Sequence, residues 1–130
     1  MKQFKIGKAT YSESLIYEAY GGLQNDGIIL AVYYDVDAAK IIHQLDSWEK
    51  INDSPTISSI LKNVSSYFGL DFVIPEIASG NFFLYDNSQH KELRSEAEMN
   101  TLLLHSEDVN FSLVVWDDEK HTIYIVEYRI

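Results

Sequence analysis

Residues 111–130 read FSLVVWDDEKHTIYIVEYRI, and this stretch decides the fold. Phe111 to Trp116 and Thr122 to Ile130 are rich in β-branched and aromatic residues, which suit a pleated, half-buried surface. Between them Asp117-Asp118-Glu119-Lys120 is short, polar and turn-like. The pattern predicts a C-terminal β-hairpin. Just upstream, Ser95 and Glu98 have capping-box spacing, so a helix carrying Met99, Leu102 and Leu103 leads into it. Asp86 to Arg94 is polar and reads as a loop entering that helix. Phe72-Val73-Ile74 and Asn81 to Tyr85 read as two short strands around a turn at Ser79-Gly80.

Further toward the N-terminus the apolar spacing turns helical. Ile57, Ile60, Leu61, Val64, Tyr67 and Phe68 form one stripe, with Ser54 as N-cap, Pro55 as first helical residue and Gly69 as stop. A break at Asn52-Asp53 separates this helix from an earlier one that Asp35 or Asp37 caps and that carries Ile41, Ile42, Leu45 and Trp48. Two consecutive helices read as packing on the same face of the sheet. Ile28 to Tyr34 is apolar on both faces and reads as a central strand, entered by a turn at Gln24-Asn25-Asp26-Gly27. Before it, Thr10 and Glu13 fit a capping box, and Leu15, Ile16, Ala19 and Tyr20 recur at helical spacing until Gly21-Gly22. Phe4 and Ile6 between Lys2, Lys5 and Lys8 predict a first strand over residues 2–9, guarded by its lysines. The expected class is α+β: one compact domain over 1–130, a mixed or mainly antiparallel sheet of about five or six strands, and about three or four helices.

Composition excludes more than it assigns. The chain has 20 Asp plus Glu against 10 Lys plus Arg, a net charge of −10. Such a chain repels phosphate backbones and anionic headgroups, so direct nucleic-acid and membrane binding are not expected. The absence of cysteine excludes disulfides, thiolate metal sites and a cysteine nucleophile. Nothing after the N-terminal lysines resembles a signal-peptide core, and the longest apolar run, Ile28 to Tyr34, falls far below the ~18 residues a bilayer span needs. A cytoplasmic protein is expected. The Asn-x-Ser sequons at Asn52, Asn63 and Asn110 carry no weight without secretion.

Catalytic motifs are missing from the sequence. There is no Gly-x-Ser-x-Gly elbow, and the glycines at Gly21, Gly22 and Gly27 lack the Gly-Lys-Ser/Thr ending that cradles phosphates. His43 lies three residues before Asp46, His105 precedes Glu107 and Asp108, and His121 follows Asp117, Asp118 and Glu119. Among 20 acids such neighbours arise by chance, and neither His-x-x-x-His nor Glu-x-x-His spacing occurs. His90 has no constellation either. No enzyme activity, cofactor or metal is expected.

Acids and aromatics remain. The acids form three clusters: Asp35, Asp37, Asp46, Glu49 and Asp53; Glu92, Glu96 and Glu98; and Glu107, Asp108, Asp117, Asp118 and Glu119. Nine Tyr, six Phe and two Trp accompany them, with tyrosines paired at Tyr33-Tyr34 and spaced at Tyr124 and Tyr128. Carboxylates steer encounter with a basic surface, and Tyr and Trp supply anchors. In size, charge and lack of catalytic motifs the whole chain resembles the small acidic bacterial immunity proteins that neutralise nucleic-acid-active toxins, and phage-encoded nucleic-acid mimics. The resemblance rests on those bulk properties rather than on a motif. It implies a basic protein partner whose active or substrate-binding surface is occluded. The expected contact is Asp117, Asp118, Glu119, Glu107 and Asp108, with Trp116, Tyr124 and Tyr128 as apolar anchors. Two other readings compete: an accessory domain of a larger assembly, acidic for solubility alone, and a small enzyme or ligand-binding domain built on a His–carboxylate pair.

Overall fold

The computed structural model describes residues 6–20, 27–51, 54–66, 72–104 and 109–129. The hairpin at the C-terminus is the spine of a seven-stranded sheet. Its strands are β1 (Glu13–Tyr20), β2 (Gly27–Tyr34), β3 (Glu49–Lys50), β4 (Gly80–Asp86), β5 (Lys91–Leu93), β6 (Asn110–Asp117) and β7 (Thr122–Arg129). The order is β1-β2-β7-β6-β4-β3, with β5 also beside β4, and every pairing is antiparallel. A 3₁₀ turn at Ala38–Lys40 and three helices, α1 (Ile42–Leu45), α2 (Pro55–Ser66) and α3 (Glu96–Leu104), complete the domain. The class is the expected α+β, with more strands and a purely antiparallel sheet.

Side chains alternate across the sheet, so each strand feeds two cores. On one face Leu30, Val32, Leu84, Leu113, Val115 and Val126 pack against Ile57, Ile60, Leu61 and Val64 of α2 and Met99 and Leu102 of α3. Burying each such side chain contributes ~1.5–3 kcal/mol. On the other face Val114, Trp116 and Ile123 are covered by Val36 and Ile41, with Leu45 and Trp48 packed beside them. The helical segments on either side of residue 50 therefore lie on opposite faces, correcting the expectation of a shared one. The reason is β3, an edge strand beside β4, around which the chain passes from one face to the other.

Local capping chemistry reads correctly. Ser54 Oγ accepts the Ile57 amide at 3.2 Å. In α3, Glu98 Oε1 accepts the Ser95 amide at 3.2 Å while Ser95 Oγ accepts the Glu98 amide at 3.2 Å. Five other expectations give way. Residues 13–20 are strand, not helix: Thr10 and Glu13 form no box, and every residue of β1 faces one of β2. Residues 6–9 run into a turn closed by Thr10 N to Gly7 O, 2.9 Å, rather than a strand. Phe72, Val73 and Ile74 stay outside the sheet, because the Ile74 amide donates to Ser65 Oγ on α2 at 2.9 Å. Asp86 to Arg94 contains β5, formed when the chain folds back on β4. The helix expected from Ile41 to Trp48 is only a 3₁₀ turn and four residues of α1, with Asp37 accepting the Ala39 amide at 3.1 Å. β2 is interior as expected, but only Ile28, Leu30 and Val32 are fully buried, on one face. Residues 2–5 of the expected first strand, the stop at Gly21-Gly22, the expected turn at 24–26, the residues Asn52, Asp53, Tyr67, Phe68 and Gly69, and His105 lie outside the described residues.

Gly80 is required by close approach. A Cβ there would meet the Trp116 carbonyl oxygen at 1.8 Å, so the start of β4 presses directly on β6.

Candidate protein-binding end of the sheet

One end of the sheet gathers the start of β1, the end of β2, the β6–β7 turn and the start of β4. Backbone hydrogen bonds lock these together. The Val36 amide donates to His121 O at 2.8 Å, the Asp118 amide to Ser79 O at 3.0 Å, and the Asp37 amide to Thr10 O at 2.8 Å. Ser12 Oγ donates to Asp35 Oδ2 at 2.6 Å. Asp35 and His121 take left-handed backbone, φ 52° and 48°, which Asp and His tolerate better than most residues. Two acidic clusters more than 80 residues apart in sequence thus share one end of the sheet: Asp35 and Asp37 after β2, and Asp118 and Glu119 on the β6–β7 turn, with Glu13 opposite Tyr34 in the register. All five carboxylates are exposed.

Lys8, Lys40 and Lys120 are exposed at the same end. Among the described residues none of them forms an ion pair with these acids, and Lys40 Nζ is engaged by Ala9 O at 2.8 Å. Half-buried tyrosines flank the carboxylates. Tyr11 meets Tyr33 edge-on with ring centroids 4.8 Å apart. Burial raises the Tyr33 phenol above its usual range, with Tyr11 adding to it. Tyr34 is raised likewise by burial, then by Tyr17 and Glu13. These phenols stay neutral and can donate.

The expected contact residues divide sharply. Asp118 and Glu119 are exposed on the turn, and Asp118 Oδ1 accepts the Trp116 indole N–H at 3.3 Å. Asp117 points inward at 2% exposure, where its Oδ1 accepts the Glu119 and Lys120 amides at 3.1 and 3.2 Å and shapes the turn. Trp116, Tyr124 and Tyr128 are core side chains, and Trp116 lies on the opposite face from the two tyrosines. They do not form one anchor. Strand parity carries this, since Trp116 opposes Ile123 while Val115 opposes Tyr124. Burial, then Asp117 and Tyr34, push the Tyr124 phenol up to about 12. Glu107 and Asp108 lie outside the described residues. Tyr11, Tyr34 and Glu13 join the site without having been expected; the Tyr33-Tyr34 pair beside Asp35 and Asp37 was the available signal.

The middle acidic cluster is consumed internally. Arg94 binds Glu92 at 2.8 Å and Glu49 at 3.3 Å, and Lys91 binds Glu98 at 3.2 Å. Thr56 Oγ1 donates to Glu96. A cavity of about 330 Å³ lies beside it, lined by Asp86, Lys91, Glu98, Thr101 and the buried Leu93 and Leu102. Part of its polar lining serves the fold: Asp86 Oδ1 accepts the Ser88 and Gln89 amides, and Thr101 donates to Ala97 O. Among the histidines, His43 is exposed on α1, His90 sits in the β4–β5 turn and His121 lies against Trp116, ring centroids 5.5 Å apart. Among the described residues no group of three or more His, Cys, Asp or Glu is placed to hold a metal ion. None of their helices is long and apolar enough to cross a membrane.

No protein-family model, curated protein or solved structure matches the chain.

Proposed function

We propose that the chain is a small acidic binding protein that neutralises a basic protein partner by covering that partner's active or substrate-binding surface. A nucleic-acid-active toxin domain is the partner class its charge favours, because a surface built for phosphates carries Lys and Arg that match exposed carboxylates. The proposed protein is cytoplasmic and acts by occupancy, without catalysis. One observation supports the reading: Asp35, Asp37, Asp118 and Glu119 are exposed at one hydrogen-bonded end of the sheet with no ion pair among the described residues. Exposed carboxylates gathered at one end of a sheet steer association, and the neighbouring tyrosines add contact area at low entropic cost.

Affinity capture from the source cell at low and high salt tests it. The expected result is one basic protein retained at low salt and released at high salt, with the joint variant D35K/D37K/D118K/E119K slowing its association by about tenfold or more. Capture that is indifferent to salt and to the four reversals would overturn electrostatic neutralisation. Retention of an acidic or neutral assembly would favour the accessory-domain reading instead.

A further inference from the structure

We infer that the cavity between the β4–β5 hairpin and α3 binds an alkyl cation, a primary ammonium or guanidinium carried on a short aliphatic stem. The site lies at the far end of β4 from Gly80, ~20 Å along the strand. It is separate from the acidic sheet end and does not depend on the function proposed above.

Strand parity builds the cavity. Asp86 on β4 opposes Lys91 on β5, and Leu84 opposes Leu93, so Asp86, Lys91 and Leu93 share the face that α3 covers. Glu98, Thr101 and Leu102 lie about one helical turn apart on α3 and close the other side. The volume of about 330 Å³ is at the small end of the ~300–1,000 Å³ of ligand sites. One long side chain, or a molecule of that size, fits it.

Asp86 makes the cavity selective. It is only 4% exposed, and its Oδ1 accepts the Ser88 and Gln89 amides at 2.9 and 3.2 Å. Among the described residues Oδ2 has no hydrogen bond and Asp86 forms no ion pair. The cation opposite it in the ladder is engaged elsewhere: Lys91 Nζ binds Glu98 Oε2 at 3.2 Å. A buried charge without a counter-charge is costly, so such groups are normally paired. A cation entering the cavity supplies the missing partner. Two carboxylates against one ammonium in the lining repel an anion.

The remaining lining fixes what carries the charge. Leu93 and Leu102, both buried, give an aliphatic stem its apolar wall. Thr101 spends its proton on Ala97 O, so toward a ligand its Oγ1 is an acceptor, and Ser88 adds a second hydroxyl. A bare divalent ion fits worse. Such an ion takes about six oxygens, and among the described residues no group of three or more His, Cys, Asp or Glu is placed to hold one.

The probes are n-butylguanidinium and n-butylammonium, with butyrate as the counterpart of opposite charge, titrated into the intact isotope-labelled protein. NMR shifts of the Leu93 and Leu102 methyls and of the Ser88 and Gln89 amides are the readout. At least one cation should saturate these signals with a dissociation constant of about 1 mM or tighter, and butyrate should not move them. Asp86→Asn keeps an oxygen for the two turn amides while removing the charge, and should weaken binding by about tenfold or more. Thr101→Phe fills the cavity from an exposed position on α3 and should weaken it as much with the melting temperature unchanged. Binding retained by either folded variant, equal response to butyrate, or no saturation up to about 20 mM would each overturn the inference. An arginine within a glycine pentapeptide separates the two sources of such a cation. Shifts at the same methyls assign the cavity to a side chain of a partner, whereas binding of the free cations alone assigns it to a small molecule.

Discussion

At the β4–β5 corner Arg94 is shared by Glu92 and Glu49, Lys91 holds Glu98, and Thr56 binds Glu96. At the opposite end of the sheet Asp35, Asp37, Asp118 and Glu119 have lysines nearby and pair with none of them among the described residues. Both regions read alike as runs of acids, yet their roles differ. The corner uses its carboxylates to cap α3, tie it to α2 and hold β5. The sheet end buries Asp117 to build its turn and keeps Asp35, Asp37, Asp118 and Glu119 exposed, the first three accepting single hydrogen bonds from Ser12, Ala39 and Trp116. Formal charge thus overstates what a surface offers: only carboxylates not already matched inside the fold remain for a partner.

The largest effect that would break this picture is at Gly80. A Cβ placed 1.8 Å from the Trp116 carbonyl cannot be absorbed by a side-chain rotation, because the obstacle is backbone. Gly80→Ala should cost about 3 kcal/mol or more in denaturant unfolding. A neutral result would mean the sheet end is pliable rather than a rigid platform. Next comes the contrast within one turn. Asp117→Ala leaves the turn without the acceptor of two of its amides and should cost about 1–3 kcal/mol, whereas Glu119→Ala should stay within about 0.5 kcal/mol. Equal losses for the two would erase the distinction between consumed and presented carboxylates.

The smallest effect sharpens the corner. Hydrogen bonds from the Ser95 and Arg94 amides, and then from Lys91, hold the Glu98 carboxyl down at about 2 against an ordinary 4.5. A lowered folded value means the ionised form contributes stability that is present above pH 4.5 and lost as the pH falls toward 2. Melting temperatures of Glu98→Gln and the parent protein should therefore differ at neutral pH and converge between pH 4.5 and 2. A difference that persists at pH 2 would assign the loss to packing instead.

The hairpin at β6–β7, the stripe of α2 and the caps at Ser54 and Ser95 were legible because their determinants lie within a few residues. β1 was misread because Leu15, Ile16, Ala19 and Tyr20 satisfy a helical period equally well, and only the partner strand decides the matter. The presented site was half legible. Asp118 and Glu119 sit on a turn that local chemistry announces. Their meeting with Asp35 depends on β7 lying between β2 and β6, a long-range choice no local pattern encodes. The alternation of β6 and β7 did contain the assignment of Trp116 to one face and Tyr124 and Tyr128 to the other. Aromatic content alone concealed it.

That central position of β7 also sets a schedule for the chain's birth. β2 needs β7 as its inner partner, and residues 27–33 meet residues 123–129. At ~5–20 residues per second of synthesis, Ile28, Leu30 and Val32 wait roughly 5–20 seconds before the strand that completes their sheet exists. The nascent chain must carry an open apolar half-sheet, β1 paired with β2, through that interval.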